Sequence, residues 1–176
     1  SDWSSDVCSS DLKMDPASMI DCRVGQIESV EKIDGSNKLY LLTVDIGDGM
    51  PRKIVSSIRK YYSVDDLTNK LVCVFVNAQQ TEIFGELSEG ILLGCGDDSN
   101  VKLVEPPLDN QPGDRVYFGE NSENEDFEMD QNNRYWNKVV HELRIDENGD
   151  AMYKDENVYT DYGNVTAPGM KNCPFK

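Results

Sequence analysis

Arg52, Lys53, Arg59 and Lys60 stand close together around the Ser56-Ser57 pair, with Lys38 upstream and Tyr61-Tyr62 directly after. Lysine and arginine neutralise phosphate and tyrosine rings stack on bases, so the group has the composition of a nucleic-acid contact. The same residues also make an ordinary solvated face. A second polar stretch, from Asn77 to Gly90, carries Gln79, Gln80, Phe84, Gly85 and Ser88 between two apolar segments. Amides and hydroxyls at the rim of a small β-barrel are placed to hold a ligand. Asn77, Gly85 and Gly90 equally suit plain turns. Phe84 is expected to pack on the C-terminal part of the chain rather than on a base.

Other chemistry finds little support. Ser56, Ser57 and Ser88 have no base partner in sequence, so no nucleophilic constellation is visible. His141 is the sole histidine and has no cysteine nearby, which speaks against a metal or catalytic role. The five cysteines are scattered without paired ligand spacing, and Cys73 and Cys95 lie inside apolar segments, where buried reduced thiols are expected. The acidic run Glu120 to Asp130 lacks the alternating ligands of a calcium loop. No cofactor, metal or catalytic site is therefore expected.

The elements that must position these residues are mostly strands. Leu71 to Val76 is a run of branched and aromatic residues that reads as a strand buried on both faces, and Ile91 to Leu93 is a second, shorter one. Upstream, Asp21 to Lys32 predicts a first strand. Its apolar parity changes between Val24 and Ile27 across Gly25, which predicts a bulge there. Leu39 to Ile46 predicts a second strand, with Tyr40, Leu42, Val44 and Ile46 on one face, and Arg52 to Val55 follows a glycine-rich turn. Ser63 before Val64-Asp65-Asp66 has the form of a helix N-cap. Val101 to Val104 and Arg115 to Phe118 complete a set suited to a Greek-key barrel. Beyond the polar, acidic residues 119–130, Trp136, Val139, Val140 and Leu143 recur at helical spacing, predicting a helix over Gln131 to Leu143 that Asp146 to Gly149 ends. Ala151 to Tyr153 and Val158 to Thr160 suggest a hairpin, with coil around Pro168 and Pro174. Residues 1–12 show no apolar period and look like translated library-adapter sequence, so they are set aside. The expected organisation is then a barrel over 13–118, an acidic linker or loop over 119–130 and a C-terminal extension over 131–176.

Val55-Ser56, Asn77, Gly85, Ser88 and Gly90 together resemble the tRNA-binding domain of the endothelial monocyte-activating polypeptide II family. That family reads Val-Ser-Gly, then Asn-Leu-Lys-Pro-x-Lys-x-Arg-Gly, then Ser-x-Gly-Met. The similarity extends in order through Asp21 to Ile27, Leu39-Tyr40, Val44 to Gly47, Pro51-Arg52, Pro106-Pro107 and Pro112 to Arg115, and more weakly through Tyr135-Trp136. It implies a mainly β fold, an OB-fold Greek-key barrel followed by a smaller C-terminal β-rich half with one helix packed on it. It implies tRNA and aminoacyl-tRNA synthetases, or the proteins of a multisynthetase complex, as partners. The binding residues it points to are Lys38, Arg52, Lys53, Ser56, Arg59, Lys60, Asn77, Gln79, Gln80, Phe84, Gly85 and Ser88. The chain departs from the family at its cations: Gln79 and Glu82 stand where the family has lysines, Phe84 where it has arginine, Gln80 where it has proline, and Asn132-Asn133-Arg134 opens the tail with one cation.

The formal net charge of -16 has the wrong sign for a generic nucleic-acid binder. Residues 1–12 hold aspartates and no cation, so setting them aside leaves the chain strongly acidic. RNA binding must then be local, weak or assisted by another domain. Two readings follow. One is a tRNA-binding module of, or accessory to, a synthetase. The other is an interaction or homodimerisation module that kept the fold and lost most RNA contacts, docking through its apolar rim and Phe84. No apolar run reaches transmembrane length, and a cytoplasmic location is expected.

Overall fold

The computed structural model describes residues 16–97, 99–119 and 128–175. The adapter-like residues and most of the acidic stretch lie outside these. In order, the first part of the chain runs β1 (Cys22–Lys32), β2 (Tyr40–Asp45), β3 (Arg52–Ser56), a short helix α1 (Val64–Leu67), β4 (Leu71–Phe75), β5 (Thr81–Ile83), β6 (Glu86–Ser88), β7 (Ile91–Leu92), β8 (Gly94–Asp97), β9 (Asn100–Leu103) and β10 (Tyr117–Phe118). A sheet of order β3-β2-β1-β4-β7 curls into a nearly closed barrel, with β5 pairing β6 and β8 pairing β9 as separate hairpins.

The face predicted for β2 is buried as a set. Tyr40, Leu42, Val44 and Ile46 are buried together with Ile27, Ile54, Val72 and Val74, which fills the barrel interior. The opposite parity of β1 and β4 is buried too, in a second core. There Cys22, Val24, Cys73 and Phe75 meet Trp136, Val139, Leu143, Ile145, Tyr153 and Val158 from the C-terminal part. Strand β4 thus has no solvent face, as its unbroken apolar run predicts.

This second core also corrects the expectation of a bulge at Gly25. Pairing of β1 with β4 runs without interruption from Cys22 to Gln26, and the register shift against β2 falls between Ile27 and Ser29. The parity change in the sequence arises because each parity of β1 feeds a different core. Gly25 is small for another reason: a Cβ there would lie 2.7 Å from Val44 Cγ1.

Ser63 caps α1 as predicted. Its hydroxyl accepts from Asp66 N while the Asp66 carboxylate accepts from Ser63 N, a reciprocal capping box, and Leu67 is buried beneath.

The C-terminal part runs α2 (Arg134–Val139), β11 (Leu143–Ile145), β12 (Ala151–Tyr153), β13 (Glu156–Thr160), β14 (Gly163–Asn164) and β15 (Cys173–Pro174). Its sheet has the order β10-β13-β12-β11-β15, with β14 on β13, and the expected hairpin is β12 against β13. The helix is shorter than its apolar spacing suggests. Asn132 and Asn133 have positive φ (59° and 52°), so helical geometry begins only at Arg134. At the other end Leu143 is already extended (φ -89°, ψ 137°) and opens a strand. Asp146 to Gly149 is accordingly the turn between β11 and β12, not a helix end. Pro174 likewise lies in a short strand opposite Arg144 rather than in coil.

Candidate nucleic-acid interface

A groove of about 740 Å³ opens where the end of β3 faces β5, β7 and β9. Val55, Ile91, Leu92, Val101 and Leu103 supply its apolar lining, and Ser56, Ser57, Thr81 and Tyr61 add hydroxyls. Lys38 and Lys60 are the cations that line it, and Gln79 and Asn133 bring amides. It is a mouth-of-barrel cleft of ordinary ligand-site size, apolar below and polar at the edge.

The groove unites Lys38, Ser56, Lys60, Gln79 and Ser88 from the set singled out in the sequence, and separates them from the rest. Ser88 is buried, accepts from Val55 N at 3.0 Å and donates to Gly90 O at 3.2 Å, so its hydroxyl ties β6 to β3. Arg52 turns inward: its guanidinium donates to Val76 O and to Glu89 O. Lys53 donates to Thr43 Oγ1 at 2.8 Å on the barrel's outer face. Arg59 donates to Ser36 O at 2.6 Å and holds the β1–β2 turn. Tyr62, considered as a stacking platform beside Tyr61, is instead a strut. Its hydroxyl accepts from Leu103 N at 3.0 Å, the Lys70 and Lys102 ammonium groups lie over its ring at 5.9 and 5.8 Å from the centroid, and burial pushes its phenol up from the ordinary value.

Asn77 is a fastener. Its Oδ1 accepts from Asp21 N at 2.9 Å, and its Nδ2 donates to Met19 O at 3.0 Å and to Glu128 O at 2.7 Å. Its carbonyl accepts from Asp130 N. Asp130, itself buried, accepts from Tyr135 N and Trp136 N and so serves the orphan donors of the first turn of α2. This chain of bonds brings Asn133 to the groove, where its Oδ1 accepts from Gln79 N at 2.8 Å.

Phe84 overturns an expectation. It does not pack on the C-terminal part but stands 62% exposed at the tip of the β5–β6 hairpin, with Leu87 also exposed. Phe84 (φ 50°) and Gly85 (φ 80°) are the two central residues of a tight hairpin turn that needs positive φ at both, and that geometry throws the ring outward. Gln80 is exposed beside the groove without lining it. Asn133 and Thr81 were missed as groove residues. A signal existed for the first, since consecutive asparagines tolerate left-handed backbone and so mark a special turn.

Residues 22–115 match the family described as "Putative tRNA binding domain". The chain belongs to this family. It is 31% identical over 158 residues to the cytoplasmic tyrosine–tRNA ligase of Danio rerio, covering 88% of this chain and 30% of that protein. It is 27% identical over 146 residues to the aminoacyl tRNA synthase complex-interacting multifunctional protein 1 of Mus musculus, covering 83% of this chain and 47% of that protein. The chain thus spans between about a third and a half of these relatives. Among solved structures, the C-terminal domain of Plasmodium vivax p43 superposes with a TM-score of 0.81 at 25% identity, covering 90% of this chain and 98% of that one. That match takes in the C-terminal part as well as the barrel. A MetRS-related protein of Pyrococcus horikoshii (TM-score 0.53, 29% identity) covers 56% of this chain and 90% of its own.

Proposed function

We propose that the chain is a tRNA-binding module within or beside an aminoacyl-tRNA synthetase, holding tRNA near a catalytic centre carried elsewhere. Such a module raises the effective concentration of a tethered substrate without catalysing anything itself. The observation that carries the reading is the groove, which lies largely within the family-matched segment and combines Lys38 and Lys60 with an apolar bed and hydrogen-bonding edges. The names of the relatives, a tyrosine–tRNA ligase and a synthase-complex protein, support the same assignment. With Arg52 and Arg59 engaged in the fold, few cations are available to phosphate, so affinity for bulk tRNA is weak and its salt dependence shallow. Fluorescence anisotropy of labelled bulk tRNA across a salt series tests this. Lys38→Ala with Lys60→Ala is expected to weaken binding and to flatten the slope of log affinity against log salt by up to about 2. Unchanged affinity and slope would remove the groove as the contact.

A second reading rests on a separate observation, the exposed Phe84 and Leu87 at the β5–β6 tip. An apolar tip on an acidic molecule suits protein docking, including a homodimer. Sedimentation of the chain and of Phe84→Ser distinguishes it, because only this reading ties assembly to that ring.

A further inference from the structure

We propose that the groove takes an unpaired nucleotide, its base lying on the apolar bed and its edge read by the side-chain amides of Gln79 and Asn133, rather than the backbone of a duplex. The inference rests on the tRNA-binding reading above and deepens it.

Three features of the groove carry it. First, it is concave and partly apolar, lined by Val55, Ile91 and Leu92 among others. A paired stem offers such a bed nothing to bury, because its bases are stacked inside and its surface is phosphate and ribose. A base released from its stack has a flat apolar face that fits. Second, its cations are few. Lys38 and Lys60 line it, while Arg52 and Arg59 spend guanidinium donors on backbone carbonyls. A surface built to follow a duplex backbone needs a row of positive charge, whereas a single-nucleotide pocket needs one or two.

Third, the amides are preset. Asn133 Oδ1 accepts from Gln79 N at 2.8 Å, and Gln79 Oε1 accepts from Asn132 N at 3.3 Å. With each oxygen held by a backbone N–H, the NH2 end of each amide is the end offered as a donor. The groove therefore presents two oriented donors to a ligand edge rich in acceptors, which base carbonyls and ring nitrogens provide. The positive φ of Asn132 and Asn133 makes this possible by turning the chain back onto Gln79 before α2 begins. The C-terminal part is thus one wall of the site, not only a brace for the barrel.

The test compares a short labelled single-stranded RNA with the same strand annealed to its complement, both titrated with the full chain. The single strand is expected to bind about tenfold tighter or more. Asn133→Asp and Gln79→Glu each keep the acceptor that the backbone N–H needs and replace the donor. Either is expected to lower single-strand affinity about tenfold relative to Gln80→Glu, which adds the same charge beside the groove without lining it. Melting temperatures of all three variants should match the parent. Duplex binding as tight as the single strand, or Asn133→Asp and Gln79→Glu both indistinguishable from Gln80→Glu, overturns the inference. If bulk tRNA binds through Lys38 and Lys60 while short single strands do not bind, the inference falls and the tRNA-binding reading stands. If no RNA binds even at low salt, both fall.

Discussion

Asn77 satisfies three backbone groups with one amide, those of Asp21, Met19 and Glu128. Removing it orphans a donor and two acceptors in the seam between barrel and extension, so Asn77→Ala is expected to cost about 1–3 kcal/mol by urea denaturation. Its effect on RNA affinity should follow only from that loss. A side chain that mattered chiefly to ligand would give the reverse pattern, stability kept and binding lost. Gly25 makes a comparable point about space. With a Cβ placed 2.7 Å from Val44 Cγ1 and 3.0 Å from Val74 Cγ2, Gly25→Ala overpacks the barrel and is expected to cost about 1–3 kcal/mol in the same measurement.

Among elements, α2 shows how far a short helix depends on what it covers. Trp136 packs at a tilt against Phe75 of β4 with ring centroids 5.2 Å apart, and both lie in the core shared by barrel and extension. Trp136→Ala is expected to cost about 3–5 kcal/mol, read as a shift in denaturation midpoint. The docking of this helix was legible in the sequence because Trp136, Val139 and Leu143 share its apolar period. Its length was not. Leu143 keeps the period while its backbone has already become a strand, and spacing alone does not register such a change. The strands β2 and β4 were legible for another reason: the period-two set Tyr40, Leu42, Val44 and Ile46 marks the inward face of one, and the unbroken apolar run of the other implies burial on both faces. The β5–β6 hairpin was harder. Phe84-Gly85 carries the turn, but a phenylalanine invites a core placement, and only the turn's positive φ sends it to solvent. The groove was half legible. The hydroxyls and lysines announce themselves by type, whereas Arg52 and Arg59 look identical to them until their carbonyl partners are seen.

At the scale of the whole molecule, charge and buried thiols set the response to solution conditions. With a formal net charge of -16, self-repulsion opposes the compact state, so the melting temperature is expected to rise from low salt to physiological ionic strength. Burial, the largest cause in each case, raises the thiols of Cys22, Cys73 and Cys95, the last to about 12. A raised native value means the folded state holds its proton longer than the unfolded one. The stabilisation is complete below the ordinary thiol value of 9.0 and is lost as pH climbs from there toward 12. The urea midpoint should therefore be insensitive to these groups near neutrality and fall in the alkaline range, and replacing Cys73 with alanine should reduce that alkaline loss. The two-sided burial of β4 has a consequence for the order in which the chain is made. The strands of the barrel leave the ribosome well before Trp136, Val139 and Leu143, so a growing chain has a bare apolar wall at Cys22, Val24, Cys73 and Phe75 until those later residues have emerged. Birth, more than maturity, is when this molecule is exposed to sticking to its neighbours.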